Sequence, residues 1–311
     1  MKNYKVGIVG ATGMVGQRFA TLLDNHPWFD VTVLAASPRS AGKTYEEAVG
    51  SRWCMDTAMP ANMKDLVIMD ATADVEKIAG MVDFVFCAVD MQKDEIKALE
   101  ERYAKAECPV VSNNSAHRGT ADVPMVVPEL NARHTDVIAD QRKRLGTKRG
   151  FIAVKSNCSL QSYVPAIYPL DKAGFKVKDV LVCTYQAISG AGKTFETWPE
   201  MVDNVIPFIG GEEEKSEQEP LKIWAEFKGE PQEYELPNAP KQFLHYFTED
   251  NMPQTKLQRD LEGGMAVSIG RLREDTQYDY KFVCLSHNTL RGAAGGAVLL
   301  AELLAAKGYM D

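Results

Sequence analysis

Residues 4–23 constrain the fold of this chain more than any other stretch. Tyr4-Lys5-Val6-Gly7-Ile8-Val9 reads as a buried strand, Gly10-Ala11-Thr12-Gly13-Met14-Val15-Gly16 follows as a glycine-punctuated turn, and Gln17 to Leu23 reads as a helix. Strand, glycine turn and helix in that order form the opening unit of a parallel α/β sheet. Small residues in the turn let the backbone approach a pyrophosphate, and the helix N-terminus favours its negative charge. Glycines at this spacing also serve ordinary tight turns. It is the strand before and the helix after that point to nucleotide binding.

The pattern continues along the first half. Val31–Ala36, Leu66–Met69, Phe84–Val89 and Pro109–Ser112 are β-like runs, with a helical stretch from Glu95 to Ala106. This alternation predicts a Rossmann-type, doubly wound parallel sheet. A strand that ends on an acid grips the ribose hydroxyls of NAD. Here the strand after the turn runs instead into Ser37-Pro38-Arg39-Ser40-Ala41-Gly42-Lys43. Two hydroxyls and a guanidinium suit a 2′-phosphate, which a carboxylate would repel. Ser37, Arg39 and Ser40 therefore predict NADP.

The character changes after Gly150. Lys176–Tyr185 and Met265–Asn288 read as longer strands, the second with a turn near Glu274-Asp275-Thr276-Gln277. Gly210 to Lys215 reads as a loop running into an exposed helix, and Ala293–Lys307 as an apolar helix packing back on the first half. The expected organisation is a dinucleotide-binding domain over residues 1–155, completed by the C-terminal helix 291–311. An α+β catalytic and dimerisation domain is expected over 156–290.

Composition excludes several classes. The formal net charge of −8 argues against a general nucleic-acid binder, which needs a basic face. No apolar run is long enough to span a bilayer, and Met1–Lys5 leads straight into a strand without a signal-peptide core. The six cysteines, Cys54, Cys87, Cys108, Cys158, Cys183 and Cys284, form neither a Cys-x-x-Cys pair nor a zinc pattern, which fits free thiols in a reducing cytoplasm.

Among them Cys158 stands apart. Phe151-Ile152-Ala153-Val154 is an apolar run, and Ser156-Asn157-Cys158-Ser159 follows it directly before a helix-like segment. A strand there hands a thiol to the start of a helix, whose partial positive charge favours the nucleophilic thiolate. A buried core position is the commoner fate of a lone cysteine.

Five motifs together resemble the aspartate-β-semialdehyde dehydrogenase family, in its archaeal and fungal branch. They are the glycine turn, Ser37-x-Arg39-Ser40-Ala-Gly, Ser156-Asn157-Cys158-Ser159, Gln186-Ala-Ile-Ser189-Gly190-Ala-Gly192, and Ser286-His287-Asn288-Thr-Leu-Arg291-Gly-Ala-Ala-Gly-Gly. The resemblance covers almost the whole chain. It implies NADPH-dependent reductive dephosphorylation of L-aspartyl-4-phosphate to L-aspartate-4-semialdehyde through a Cys158 thioester, on the route to lysine, threonine and methionine. By the same resemblance Asn157 meets the substrate carbonyl and phosphate, and Gln186 orients the substrate beside the thiol. Arg118 and Lys215 bind phosphate, and Glu212 meets the substrate amino group. Gly10, Thr12, Gly13, Met14, Val15, Cys87, Ser189, Gly190 and Asn288 join Ser37, Arg39 and Ser40 at the cofactor. The resemblance further implies a homodimer or homotetramer and no metal.

One departure stands out. The family carries an Arg-x-Pro-Val-x-x-Gly-His segment, whose arginine binds the substrate carboxylate and whose histidine is the acid/base partner of the cysteine. None of His26, His117, His134, His245 and His287 lies in such a context. The chain passes from Glu219-Pro-Leu-Lys-Ile-Trp224 to Glu226-Phe-Lys-Gly229-Glu-Pro-Gln, where the family has several tens of residues more. Loss of that block would leave strand ladders unpaired and the second core open. That expectation favours a functioning molecule that has the block over a catalytically crippled NADP-binding homologue, or a variant relying on other groups. Among related acyl reductases, the malonyl-CoA reductase type is the alternative function. Asn157 directly before Cys158 favours the aspartate enzyme, since an apolar residue takes that place in the other pattern.

Overall fold

The computed structural model describes residues 3–191, 193–204, 206, 230–231 and 234–310. Glu212, Lys215, the Gly210–Lys215 stretch, Gly192 and Trp224 lie outside the described residues.

The first part is one seven-stranded parallel sheet. Its strands are β1 (Tyr4–Val9), β2 (Phe29–Ala36), β3 (Met69–Asp70), β4 (Phe84–Cys87), β5 (Val110–Ser112), β6 (Met125–Val126) and β7 (Ile152–Lys155), in the order β3-β2-β1-β4-β5-β7-β6. The helices between them are α1 (Met14–Leu22), α2 (Tyr45–Val49), α3 (Val75–Ala79), α4 (Lys93–Lys105), α5 (Pro128–Asn131) and α6 (Ile138–Leu145). Phe84, Val85, Phe86, Val110, Val111, Ile152 and Val154 are all fully buried. Strands covered on both faces read as unbroken apolar runs, which is why these segments show no alternation. The strand expected over Leu66–Met69 is only the short β3, because Val67 is drawn instead into an isolated bridge with Thr44.

The order of the strands reverses between β1 and β4, the switch point at which an open parallel sheet takes its ligand in the crevice beyond the carboxyl ends of the strands. The second part begins with α7 (Leu160–Lys172) and holds a three-stranded sheet, accompanied by the short α8 (Thr255–Gln258). β8 (Leu244–Phe247) runs parallel to β9 (Val267–Glu274), and β9 forms with β10 (Tyr280–Ser286) the antiparallel hairpin expected around residues 274–277. β9 is therefore the central strand. The strand expected over Lys176–Tyr185 is not formed. These residues enter no ladder among the described residues, and Leu181 and Tyr185 are 72% and 93% exposed. A strand is stabilised by its neighbours across the ladder, and this segment has none to pair with among the described residues.

The last helix, α9 (Gly295–Ala306), is buried from Gly295 through Ala305 and packs on α1, β5 and β7. A helix apolar all round requires such a site. Its buried Glu302 is answered by His26 Nε2 at 2.9 Å and by the Asn238 amide at 2.7 Å. The His26 Nδ1 accepts from the Trp28 and Phe29 amides, so Nε2 holds the hydrogen.

Candidate active site

Cys158 lies between β7 and α7, as a strand-to-helix handover requires. Its carbonyl accepts from the Gln161 amide at 3.2 Å, so the thiol stands at the first turn of α7. That turn carries no acidic residue to offset the positive end of the helix. Cys158 is half-buried and, like all six cysteines, is not in a disulfide.

Two remote segments converge on it. Gln186 places Oε1 3.8 Å from the Cys158 sulfur, while its Nε2 donates to Ser159 Oγ at 2.7 Å. The second bond fixes which end of the amide meets the thiol. Asn288 donates from Nδ2 to Ser189 Oγ at 3.3 Å. A Cβ at Gly190 would stand 3.0 Å from that Nδ2 and 3.3 Å from Gln186 Oε1, so glycine leaves the room both amides use. Gly292 packs on the cysteine itself.

Arg118 lies at the carboxyl ends of β5 and β7. Its Nε donates to the Lys155 carbonyl at 3.1 Å, three residues before Cys158, and a terminal nitrogen reaches the Asn113 carbonyl at 3.4 Å. Asn157 is buried in the loop beside the thiol. Its Oδ1 accepts from the Ser159 amide at 2.8 Å and holds the loop, so that oxygen shapes the turn rather than facing outward. Two residues that the sequence reading gave no role belong here. Buried Lys155 donates from Nζ to the Gly292 carbonyl, and Ser159 orients Gln186. An apolar strand ending on lysine is the available signal for the first.

The crevice suits a dinucleotide. Gly10 has φ +93°, and a Cβ there would meet the Ala88 carbonyl oxygen at 2.3 Å; at Gly16 one would meet the Gly10 oxygen at 2.2 Å. Those two glycines are demanded by the protein's own packing. Gly13 is not, since the nearest atom to its Cβ position is 3.6 Å away. It is exposed, and the α1 N-terminus behind it has no acidic residue in its first turn. The Gln17 amide donates to the Thr12 carbonyl at 3.1 Å and steadies the turn from below, leaving Thr12, Met14 and Val15 half-buried at its rim. Ser37 and Arg39 are exposed beyond β2, and buried Ser40 closes the turn through its amide to the Ser37 carbonyl at 2.9 Å. At the end of β5, Asn113 Oδ1 is buried without a hydrogen-bond partner, an acceptor that a bound amide would satisfy.

Cys87 ends β4 at this crevice, but its thiol is sealed in the interior, with the Asn114 amide 3.5 Å from the sulfur. Burial pushes the thiol pKa well up. Only backbone at that position can face a ligand. The five histidines are engaged elsewhere: His26 with Glu302, His117 with Thr120, His134 with Met125, His245 with the Gln242 carbonyl, and His287 with the amides of Thr289 and Leu290. No cluster of His, Cys, Asp or Glu among the described residues could hold a metal ion.

Comparison with known proteins gives this geometry its context. Residues 5–138 match the family model described as semialdehyde dehydrogenase, NAD binding domain, and residues 167–240 match the one described as semialdehyde dehydrogenase, dimerisation domain. The aspartate-semialdehyde dehydrogenase of Methanothermobacter thermautotrophicus is 37% identical, over 96% of this chain and 98% of that one. The protein of the same name from Aspergillus fumigatus is 36% identical, over 98% of each. A crystal structure of aspartate semialdehyde dehydrogenase with NADP from Candida albicans superposes with a TM-score of 0.86 at 33% identity, covering 99% of this chain and 100% of that one. The archaeal alignment runs over 350 positions against 311 residues here, so tens of alignment positions have no counterpart in this chain. With both domain models matched and identity extending over nearly its whole length, the chain belongs to the aspartate-semialdehyde dehydrogenase family.

Proposed function

We propose that the chain reduces L-aspartyl-4-phosphate to L-aspartate-4-semialdehyde with NADPH, releasing phosphate, in lysine, threonine and methionine biosynthesis. The observation that carries this reading is Cys158 at the strand-to-helix junction, facing Gln186 Oε1, in a chain of this family. The Cys158 sulfur attacks the acyl carbon, a C–S bond forms, and the C–O bond to phosphate breaks, leaving a thioester. Gln186, held by Ser159, orients the acyl group beside the sulfur. Arg118, fixed to the strand end that delivers Cys158, receives the departing phosphate, and Asn157 keeps the loop in register. Covalent capture holds the acyl group in place for the next step. Bound NADPH supplies the hydride that turns the thioester into the aldehyde. Gly10, Thr12, Gly13, Met14 and Val15 would hold its pyrophosphate, Ser37, Arg39 and Ser40 its 2′-phosphate, and Ser189, Gly190 and Asn288 its nicotinamide end.

Lys215 and Glu212 complete the phosphate and amino-group contacts in this reading. Residues 1–155 with the C-terminal helix form the cofactor domain, and 156–290 the catalytic and dimerisation domain. The chain works as a homodimer or homotetramer in the cytoplasm. The matched dimerisation model and the open surface at Leu181 and Tyr185 support an oligomer, and no described helix is long and apolar enough to cross a membrane.

The alignment positions without a counterpart in this chain and the histidines engaged elsewhere favour one second reading, an NADP-binding homologue whose chemistry is slowed. A missing general acid/base typically costs about 10²–10⁴-fold. Formation of NADPH from NADP, semialdehyde and phosphate, with mass spectrometry of the Cys158 peptide, decides between the two. Turnover with an acyl adduct on Cys158 supports the dehydrogenase. NADP binding without any adduct replaces it by the second reading, and turnover with malonyl-CoA alone replaces it by the related reductase.

A further inference from the structure

Glu129 and Arg291 form an ion pair sealed inside the protein, 162 residues apart in sequence. The Arg291 side chain is fully buried and that of Glu129 is 3% exposed. Both terminal guanidinium nitrogens donate to the carboxylate, one to each oxygen, the second at 2.6 Å. The guanidinium carbon stands 4.5 Å from the centre of the Phe243 ring. Arg291 Nε has no hydrogen-bond partner, so the fork and the ring are what hold the group. Taking two charges out of water is costly, and apolar residues of similar size commonly stabilise a core as well or better. Stability alone therefore does not account for this pair.

Its position does. Arg291 lies in a wide turn, Leu290–Ala294, whose amides reach back five residues: Gly292 to the His287 carbonyl at 2.9 Å and Ala294 to that of Thr289 at 3.1 Å. Single turns of this kind recur at functional sites because they re-aim the residues they carry. Gly292, the next residue, puts its carbonyl on Lys155 Nζ, and its Cβ position is 2.9 Å from the Cys158 Cβ. Asn288, three residues earlier, meets Ser189. Glu129 sits in α5, directly after β6, and β6 pairs with β7 through Val126 and Lys155. The carboxylate is thus tied to the strand that delivers Cys158.

We infer that Arg291 is a positioning residue: its fork on Glu129 sets the register of the 287–292 turn against Cys158, and with it the reactivity of the thiol. A lysine would supply the charge without the two-point geometry. The consequence for turnover rests on Cys158 being the nucleophile, whereas the reactivity of the thiol is read without that assumption.

The test uses the full chain with R291K, R291M, E129Q and the double variant E129L/R291M. Peptide-resolved alkylation of Cys158 by iodoacetamide, melting temperature, NADP affinity, kcat and KM are measured for each. In the double variant the melting temperature returns towards that of the parent, while Cys158 alkylation changes severalfold and kcat falls about 10- to 100-fold at unchanged NADP affinity. A double variant with parental melting, alkylation and kcat overturns the inference. Should that protein fail to fold, R291K decides: shifted alkylation in a folded R291K supports the clamp, and parental alkylation and kcat overturn it. Absence of turnover in the parent chain, together with altered alkylation in the variants, retires the catalytic reading and leaves the clamp standing.

Discussion

Gly292 and Cys158 stand so close that a methyl group on the first would lie 2.9 Å from the Cβ of the second. The two residues come from opposite ends of the second half of the chain, and Gln186 Oε1 stands 3.8 Å from the same sulfur. G292A is expected to push the turn off the cysteine. Overpacking of this kind costs about 1–3 kcal/mol. Thermal unfolding should show that loss, and kcat should fall more than the stability change alone implies. An alanine variant with parental melting and kcat would contradict the contact.

The nucleophile itself gives a cleaner separation. C158A is expected to keep NADP affinity, because Cys158 is not among the residues assigned to the pyrophosphate or the 2′-phosphate, and to lose turnover by roughly 10⁴-fold or more. Calorimetric NADP titration beside a coupled rate assay checks both halves. Weakened NADP binding would show that the cysteine supports the crevice rather than the chemistry.

Arg39 decides the cofactor in this reading. It is exposed beyond β2, in a loop without a carboxylate. R39D should weaken NADP by about 10- to 100-fold, the scale of a lost charge-assisted contact, and leave NAD affected far less. The ratio of the two dissociation constants is the measurement. A parallel loss for both cofactors would mean that Arg39 serves the loop and not the phosphate.

Glu100 predicts a pH dependence of stability. It is fully buried on α4, and its Oε1 accepts from Ser112 Oγ at 2.6 Å and Asn114 Nδ2 at 3.0 Å. Burial raises its carboxyl pKa above the ordinary carboxylate value. The folded state therefore binds a proton that the unfolded state has already released. This contribution to stability is whole below the ordinary carboxylate range and is lost as pH rises through the folded value. E100Q keeps an oxygen for both donors and cannot titrate, so the slope of melting temperature against pH should flatten across that window. An unchanged slope would place the proton elsewhere.

Short-range patterns are legible in the residues alone. Val6 and Ile8 in a strand, the glycine turn and the helix behind it are decided by neighbours a few residues apart, and all three form as expected. The same holds for the β9–β10 hairpin, because its turn and both strands are contiguous. Lys176–Tyr185 departs from expectation for the opposite reason: its residues suit a strand, but a ladder needs a partner, and local sequence says nothing about whether one is there.

The sequence by itself therefore determined the parallel α/β half, the dinucleotide turn and the singular placement of Cys158. Each follows from backbone preferences and hydrophobic burial within one supersecondary unit. The tertiary structure alone decided what surrounds that thiol. Lys155 meets Gly292 across 137 residues and Arg291 meets Glu129 across 162, inside an interior where charges persist only when paired. No periodicity announces such a meeting, because the burial that forces each pairing exists only once the two halves have packed.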